Sequence, residues 1–144
     1  MSTQSYANHA RFVPMFHFVL FALLILTLIG ACVNLYESWG DHQRLYSAAL
    51  IVVLSICGLL MFGFIRIFPL KAQDRAIRAE ENLRYFAMTG KLLDPRLEVK
   101  QIVALRFAPD GEFVALAQRA AQESLSPKTI KESVKLWRAD TYRV

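Results

Sequence analysis

Two long stretches of this sequence hold no charge at all: no Asp, Glu, Lys or Arg lies between Arg11 and Glu37, nor between Arg44 and Arg66. With no carboxylate inside either stretch, this chain alone has no residues for a proton relay or an ion path. Histidine is sparse as well. The three, His9, His17 and His42, are too scattered for metal-ligand spacing. Neither a phosphate-cradling Gly-rich loop nor a nucleophile elbow or a Ser/His/Asp order is present, which argues against an ATPase, a hydrolase or any other enzyme. No catalytic residue, cofactor or metal is expected. The two cysteines, Cys32 and Cys57, fall at depths that differ by roughly 12 Å if their helices lie side by side. That exceeds the reach of a disulfide, so both should be free thiols.

What the uncharged stretches do contain is apolar side chains. Phe12–Tyr36 and Leu45–Ile65 are each long enough to cross a bilayer, since about 20 apolar residues span its ~30 Å core. Hydrocarbon offers no partner for a backbone amide, so each run must be helical. Neither has the polar face that a helix of a soluble bundle would show. Ile29, Gly30, Ala31 and Cys32 form a weak lipobox, but the run is longer than a signal h-region and only Arg11 precedes it, so lipidation is not expected.

The expected fold is an all-α membrane protein. A cytoplasmic arm (1–11) leads into transmembrane helix 1 (12–36), an external loop (37–44), transmembrane helix 2 (45–70) and a cytoplasmic tail (71–144). The short loop makes the two spans an antiparallel hairpin, in which Gly30, Ala31, Ala48, Ser55 and Gly58 are small enough to allow close approach.

Orientation follows from charge. The loop holds only Arg44, whereas Arg66, Lys71, Arg75, Arg78 and Arg84 follow the second span, so both termini should be cytoplasmic, in a multi-pass protein of the bacterial inner membrane. Tyr36, Trp39 and Tyr46 suit an outer aromatic belt. Arg66, Lys71, Arg75 and Arg78 should lie at the membrane surface, each attracted to an anionic inner leaflet by ~1 kcal/mol. This explains the net charge of +5 without a nucleic-acid partner, for which no binding module is present. His17, inside the first span, could ligate a haem or a pigment metal, or could bond a headgroup or a neighbouring backbone.

Three or four short amphipathic helices are expected in the tail. Lys71–Thr89 favours helix, with acid-before-base pairs Asp74/Arg78 and Glu80/Arg84 and an apolar stripe of Ala76, Ile77, Leu83, Phe86 and Ala87 that must lie on the membrane, on the rest of the tail or on a partner. Asp94 can cap a helix opening at Pro95. Leu97, Val99, Val103, Leu105 and Phe107 also alternate like a strand, and RFAPDGEFVAL looks like one propeller repeat; a lone repeat builds no propeller, and helix is favoured over a hairpin across 96–117. Asp110 can cap a helix over Gly111–Ser124 with Phe113, Leu116, Ala117, Ala120 and Ala121 on one face. Ser126 and Pro127 open a last helix aligning Ile130, Val134 and Trp137. Too small for a deep core, the tail should fold as a minimal bundle or dock on something larger.

AQDRAIRAEENLR, IVALRFAPDGE and SPKTIKESVKLWRADTYRV, the last with Pro127, Lys131, Trp137, Arg138, Asp140, Arg143 and Val144, resemble a family of small bacterial two-span proteins of unassigned function, sometimes labelled ABC transporter permeases. The resemblance covers nearly the whole chain and implies a hairpin anchor with a helical cytoplasmic tail. The expected role is non-enzymatic: an accessory or adaptor subunit of a larger membrane complex, or alternatively a two-helix part of a multi-chain transporter. Partners would be the bilayer and other membrane subunits or a second copy. Trp137, Arg138 and Arg143 are candidate partner contacts, being of types enriched at interface hot spots.

Overall fold

The structure of the chain, a computed structural model, describes Tyr6 and residues 12–140. Every element among the described residues is helical: a π-helical segment Met15–Leu20, then α1 (Phe21–Glu37), α2 (His42–Thr89), α3 (Val99–Leu105), α4 (Asp110–Gln122) and α5 (Pro127–Ser133). Two compact units result, one of Phe12–Phe68 and one that includes the described residues from Pro69 onward.

Met15–Glu37, in the first unit, and α2, which begins in it, are long and apolar enough, by length and composition, to cross a membrane. Hydroxyls within these helices bond backward along their own backbone: Thr27 Oγ1 donates to the Leu23 carbonyl at 2.8 Å and Ser55 Oγ to the Ile51 carbonyl at 2.8 Å. The rings of Phe16 and Phe62 stack at 4.4 Å, and Phe21 tilts onto Phe62 at 5.6 Å. A β-carbon placed on Gly58 would lie 3.2 Å from Leu24 Cδ2. Ala31, Ala48 and Ser55 are buried. Gly30 was expected beside Ala31 at a close approach, but it is exposed with nothing within 4 Å of its would-be β-carbon. Both cysteines are free and exposed.

Helix claims half of the stretch 37–44 read as the loop. Backbone helicity persists to Glu37 and restarts at His42, because Asp41 Oδ1 accepts from the N–H groups of Gln43 (3.1 Å) and Arg44 (3.2 Å). Gly40, at φ +101°, turns the chain between them. A larger difference lies at the other end of α2. The separate tail helix expected from Lys71 is fused to the second span as one 48-residue helix that runs through Pro69. Proline there removes one rung of the hydrogen-bond ladder, which the strong helix formers on either side outweigh.

Of the two alternatives for the tail, a minimal bundle or docking on something larger, the structure shows a bundle with a core of its own. Leu105, Phe107, Phe113 and Ile130 are its largest fully buried side chains, joined by Tyr85, Leu93, Leu97, Ile102 and Val134. All of Phe113, Leu116, Ala117, Ala120 and Ala121 are buried on α4. Residues 99–105 are helix, which settles the helix-or-hairpin alternative. Their start was misplaced, however: Glu98, not Asp94, is the N-cap, through a reciprocal capping box with Gln101. Asp94 instead closes a turn, its Oδ1 accepting from the Arg96 N–H at 2.9 Å. Likewise Pro109, not Asp110, occupies the N-cap of α4. Ser126 caps α5 as read, accepting from the Thr129 N–H at 3.1 Å.

Of the apolar stripe Ala76, Ile77, Leu83, Phe86 and Ala87 only Ile77 is buried: the tail closes over Ile77, Glu81 and Tyr85, and does not cover the rest of the stripe.

Candidate functional site

The residue that organises the tail's polar surface is Arg84, whose side chain is 12% exposed. Its Nη1 donates to Glu81 Oε2 at 3.0 Å, its Nε to Asp110 Oδ1 at 2.8 Å and its Nη2 to Asp110 Oδ1 at 2.6 Å and to the Ala108 carbonyl at 2.8 Å. The guanidinium also lies over the Phe113 ring, 4.2 Å from its centroid. One planar fork thus ties α2 to the α3–α4 turn and to the start of α4. The expected partner was Glu80, four residues back; Glu81 takes that place at three-residue spacing because it faces the tail. Asp74 and Arg78, the other expected pair, form no ion pair among the described residues.

Beyond α5 the chain is pinned by its backbone. Glu112 accepts from the N–H groups of Lys135 (3.0 Å) and Leu136 (3.2 Å), and the Arg138 N–H donates to the Phe107 carbonyl at 2.8 Å. These bonds set the Trp137 ring against Phe107 at 4.6 Å and bring Arg138 Nη1 to 3.9 Å from Glu81 Oε1. Arg106 lies over the other contact of that ring system, 4.6 Å from the Phe107 centroid, and pairs with Asp140 at 3.3 Å.

Between α2, the start of α4 and this C-terminal segment lies an open cleft of about 680 Å³. Glu80, Glu81, Arg84 and Asp110 line one side; Pro109, Leu136, Trp137 and Arg138 line the rest. Its floor is a buried acid, Glu81, between two arginines, and its rim offers the largely exposed Asp110 carboxylate and Leu136 side chain. Such a surface can hold an extended peptide or a loop by mixed charge and apolar contact. It offers no nucleophile with a base, and no group of three or more His, Cys, Asp or Glu that could hold a metal exists among the described residues.

Of the residues singled out from sequence, Trp137 and Arg138 come together in this cleft, and Arg143 lies outside the described residues. Lys71, Arg75 and Arg78 are exposed and Arg66 is half-buried; none of the four makes an ion pair among the described residues. Ala48 and Ser55 are buried, and Gly58 faces Leu24. His17 sits in the π-helical segment, with Nδ1 3.0 Å from both the backbone N and O of Val13 and its ring edge-on to Phe12 and Phe16. Sequence reasoning missed Glu81, Arg84 and Asp110 as a unit. Arg84 and Asp110 are far apart in the chain, and no local pattern joins them.

A family profile matches residues 1–144. The chain belongs to a family of unknown function, DUF6526. No curated protein and no solved structure matches this member of the family.

Proposed function

We propose that this chain is a membrane-anchored adaptor: a non-enzymatic subunit whose two apolar helices form an antiparallel transmembrane hairpin and whose tail, on the cytoplasmic side, docks partner subunits. One observation carries the reading. Only 6% of the apolar window of Met15–Glu37, and 11% of that of α2, is buried within the protein. Core helices of a soluble protein would be covered, because leaving so many Leu, Ile, Val and Phe side chains in water forfeits about 1.5–3 kcal/mol apiece. A bilayer covers them without any further protein.

The hairpin is supported by the order of contacts between the two helices. Phe16 meets Phe62 and Leu24 faces Gly58, so residue numbers rise on one helix as they fall on the other. Cytoplasmic termini and insertion in the bacterial inner membrane are supported by the basic flank Arg66, Lys71, Arg75 and Arg78. The same cations suit an anionic inner leaflet. The tail has a core of its own, and the cleft lined by Glu81, Leu136 and Arg138 supplies mixed charged and apolar groups for a segment of another subunit.

The test is affinity purification of the full-length chain in mild detergent. Co-purification of other integral membrane proteins, weakened by Arg138→Ala and Leu136→Asp together, supports the adaptor. Recovery with a nucleotide-binding ATPase would favour the transporter-component reading instead, and recovery of this chain alone would overturn both.

A further inference from the structure

The tail closes over one side of α2 and leaves an apolar side open. Numbered as heptads, Ala76 and Leu83 occupy a positions and Ala72, Ala79 and Phe86 occupy d positions. The buried residues Ile77, Glu81 and Tyr85 then take b, f and c, the sides turned away from that seam. All five seam residues are exposed, Leu83 at 68% and Phe86 at 50%. A surface helix ordinarily turns its polar side outward once its apolar side is buried. Here the outward side is the apolar one.

The charges beside the seam say what covers it. Arg75 falls at a g position and Glu80 at the e position of the following heptad, the pair that meets across two parallel strands of a coiled coil. Neither side chain has an ion-pair partner among the described residues, and both are exposed. In an antiparallel or unrelated partner this complementarity would be accidental. In a second copy it occurs twice, Arg75 to Glu80 of the partner and the reverse, as a two-fold interface requires.

We propose that α2 pairs with α2 of a second copy through Ala72, Ala76, Ala79, Leu83 and Phe86, as a parallel two-stranded coil locked by reciprocal Arg75–Glu80 pairs. Parallel alignment rests on the membrane anchoring proposed above, which inserts every copy in the same direction. The alanines let the two backbones approach closely, and Leu83 and Phe86 supply the large apolar contacts.

The test uses the full-length chain in an uncharged detergent, so that lipid charge plays no part, with Cys32 and Cys57 replaced by alanine. Single cysteines at Leu83→Cys or Ala79→Cys should be oxidised to disulfide-linked dimers far faster than one at Met88→Cys, an f position. By analytical ultracentrifugation, Arg75→Glu or Glu80→Arg alone should weaken the dimer by about fivefold to tenfold, the scale of two exposed pairs turned repulsive. The double variant Arg75→Glu/Glu80→Arg should restore it. All these positions are exposed, so unchanged circular dichroism will show that the tail still folds. Equal oxidation at Leu83→Cys and Met88→Cys, or a double variant as monomeric as the singles, overturns the proposal. Carbonate extraction of the same variants from membranes reports separately on anchoring, so a failed dimer is not mistaken for a failed anchor.

Discussion

Arg84 satisfies three separate acceptors with one side chain, two carboxylates and a carbonyl, and its removal has a definite consequence. Arg84→Met keeps most of the apolar stem but leaves Glu81, 5% exposed, without its nearest cation. The tail's unfolding free energy should fall by about 2–4 kcal/mol, as when one partner of a buried pair is deleted. Adding Glu81→Leu should recover much of that loss, because the stranded charge is then gone as well. Urea denaturation of the full chain, followed by Trp137 fluorescence in a Trp39→Phe background, reads both. Asp94 makes a different arrangement near the surface, in which Oδ1 and Oδ2 accept from Arg96 Nε and Nη2 at 2.9 and 2.7 Å. Those side-chain hydrogen bonds, then the Arg96 backbone N–H, hold the Asp94 carboxyl at about 2 instead of 3.8 and raise Arg96. A carboxyl depressed in the folded state adds stability at pH values above its ordinary range and loses it as pH falls through the folded value. Hence the contribution of this turn should be intact at pH 5 and vanish toward about pH 2. A carboxyl-carbon NMR titration that put Asp94 near 4 would show that the Arg96 contact does not persist in solution.

At the scale of the helix, Gly58 is the contact most sensitive to size. A methyl there would sit 3.2 Å from a terminal methyl of Leu24, which can swing aside by a few tenths of an ångström. Gly58→Ala should therefore be nearly neutral, whereas Gly58→Leu should cost about 1–3 kcal/mol through overpacking. Leu54→Ile, at a site 69% exposed, should do little, and SDS titration of the three variants in micelles would rank them. Elements with a regular period were readable from sequence alone. The α4 face of Phe113, Leu116, Ala117, Ala120 and Ala121 was legible because every third or fourth residue is apolar, and Ser126–Pro127 is a strong helix start. What escaped the sequence was decided by distant groups. Asp94–Pro95 carries the commoner start signature, yet Arg96 draws the Asp94 carboxylate into a turn and the helix waits for Glu98 and Gln101. Which side of α2 the tail would cover was hidden for a similar reason. Leu83 and Phe86 are the more apolar choice, but the Arg84–Asp110 contact turns the tail onto Ile77, Glu81 and Tyr85. Pro69 reads as a break, and only the helix formers around it show why α2 continues.

For the molecule as a whole the decisive quantity is the asymmetry of cations about the two apolar helices. Arg44 is the single Lys or Arg in the stretch between the uncharged runs, while Arg66, Lys71, Arg75, Arg78 and Arg84 follow the second. Short segments rich in Lys and Arg are retained on the cytoplasmic side, and acidic residues contribute little to that choice, so Glu37 and Asp41 do not offset the bias. The proposed orientation follows, with the connection between the helices outside and the tail inside. In a background free of Cys32 and Cys57, a cysteine at His42→Cys should react with a membrane-impermeant maleimide in intact cells, and one at Lys91→Cys only after permeabilisation. Both positions are exposed, so access to reagent depends on the side of the membrane and not on burial. The charge argument makes a second, stricter demand. Changing Arg66, Lys71, Arg75 and Arg78 to Gln while inserting lysines beside Gly40 should reverse the orientation in part of the population, with Lys91→Cys then labelled in intact cells. If labelling stays as in the unmodified chain, the orientation is fixed by the folded tail, which cannot be moved across the membrane, and the flanking cations serve only to hold anionic lipid.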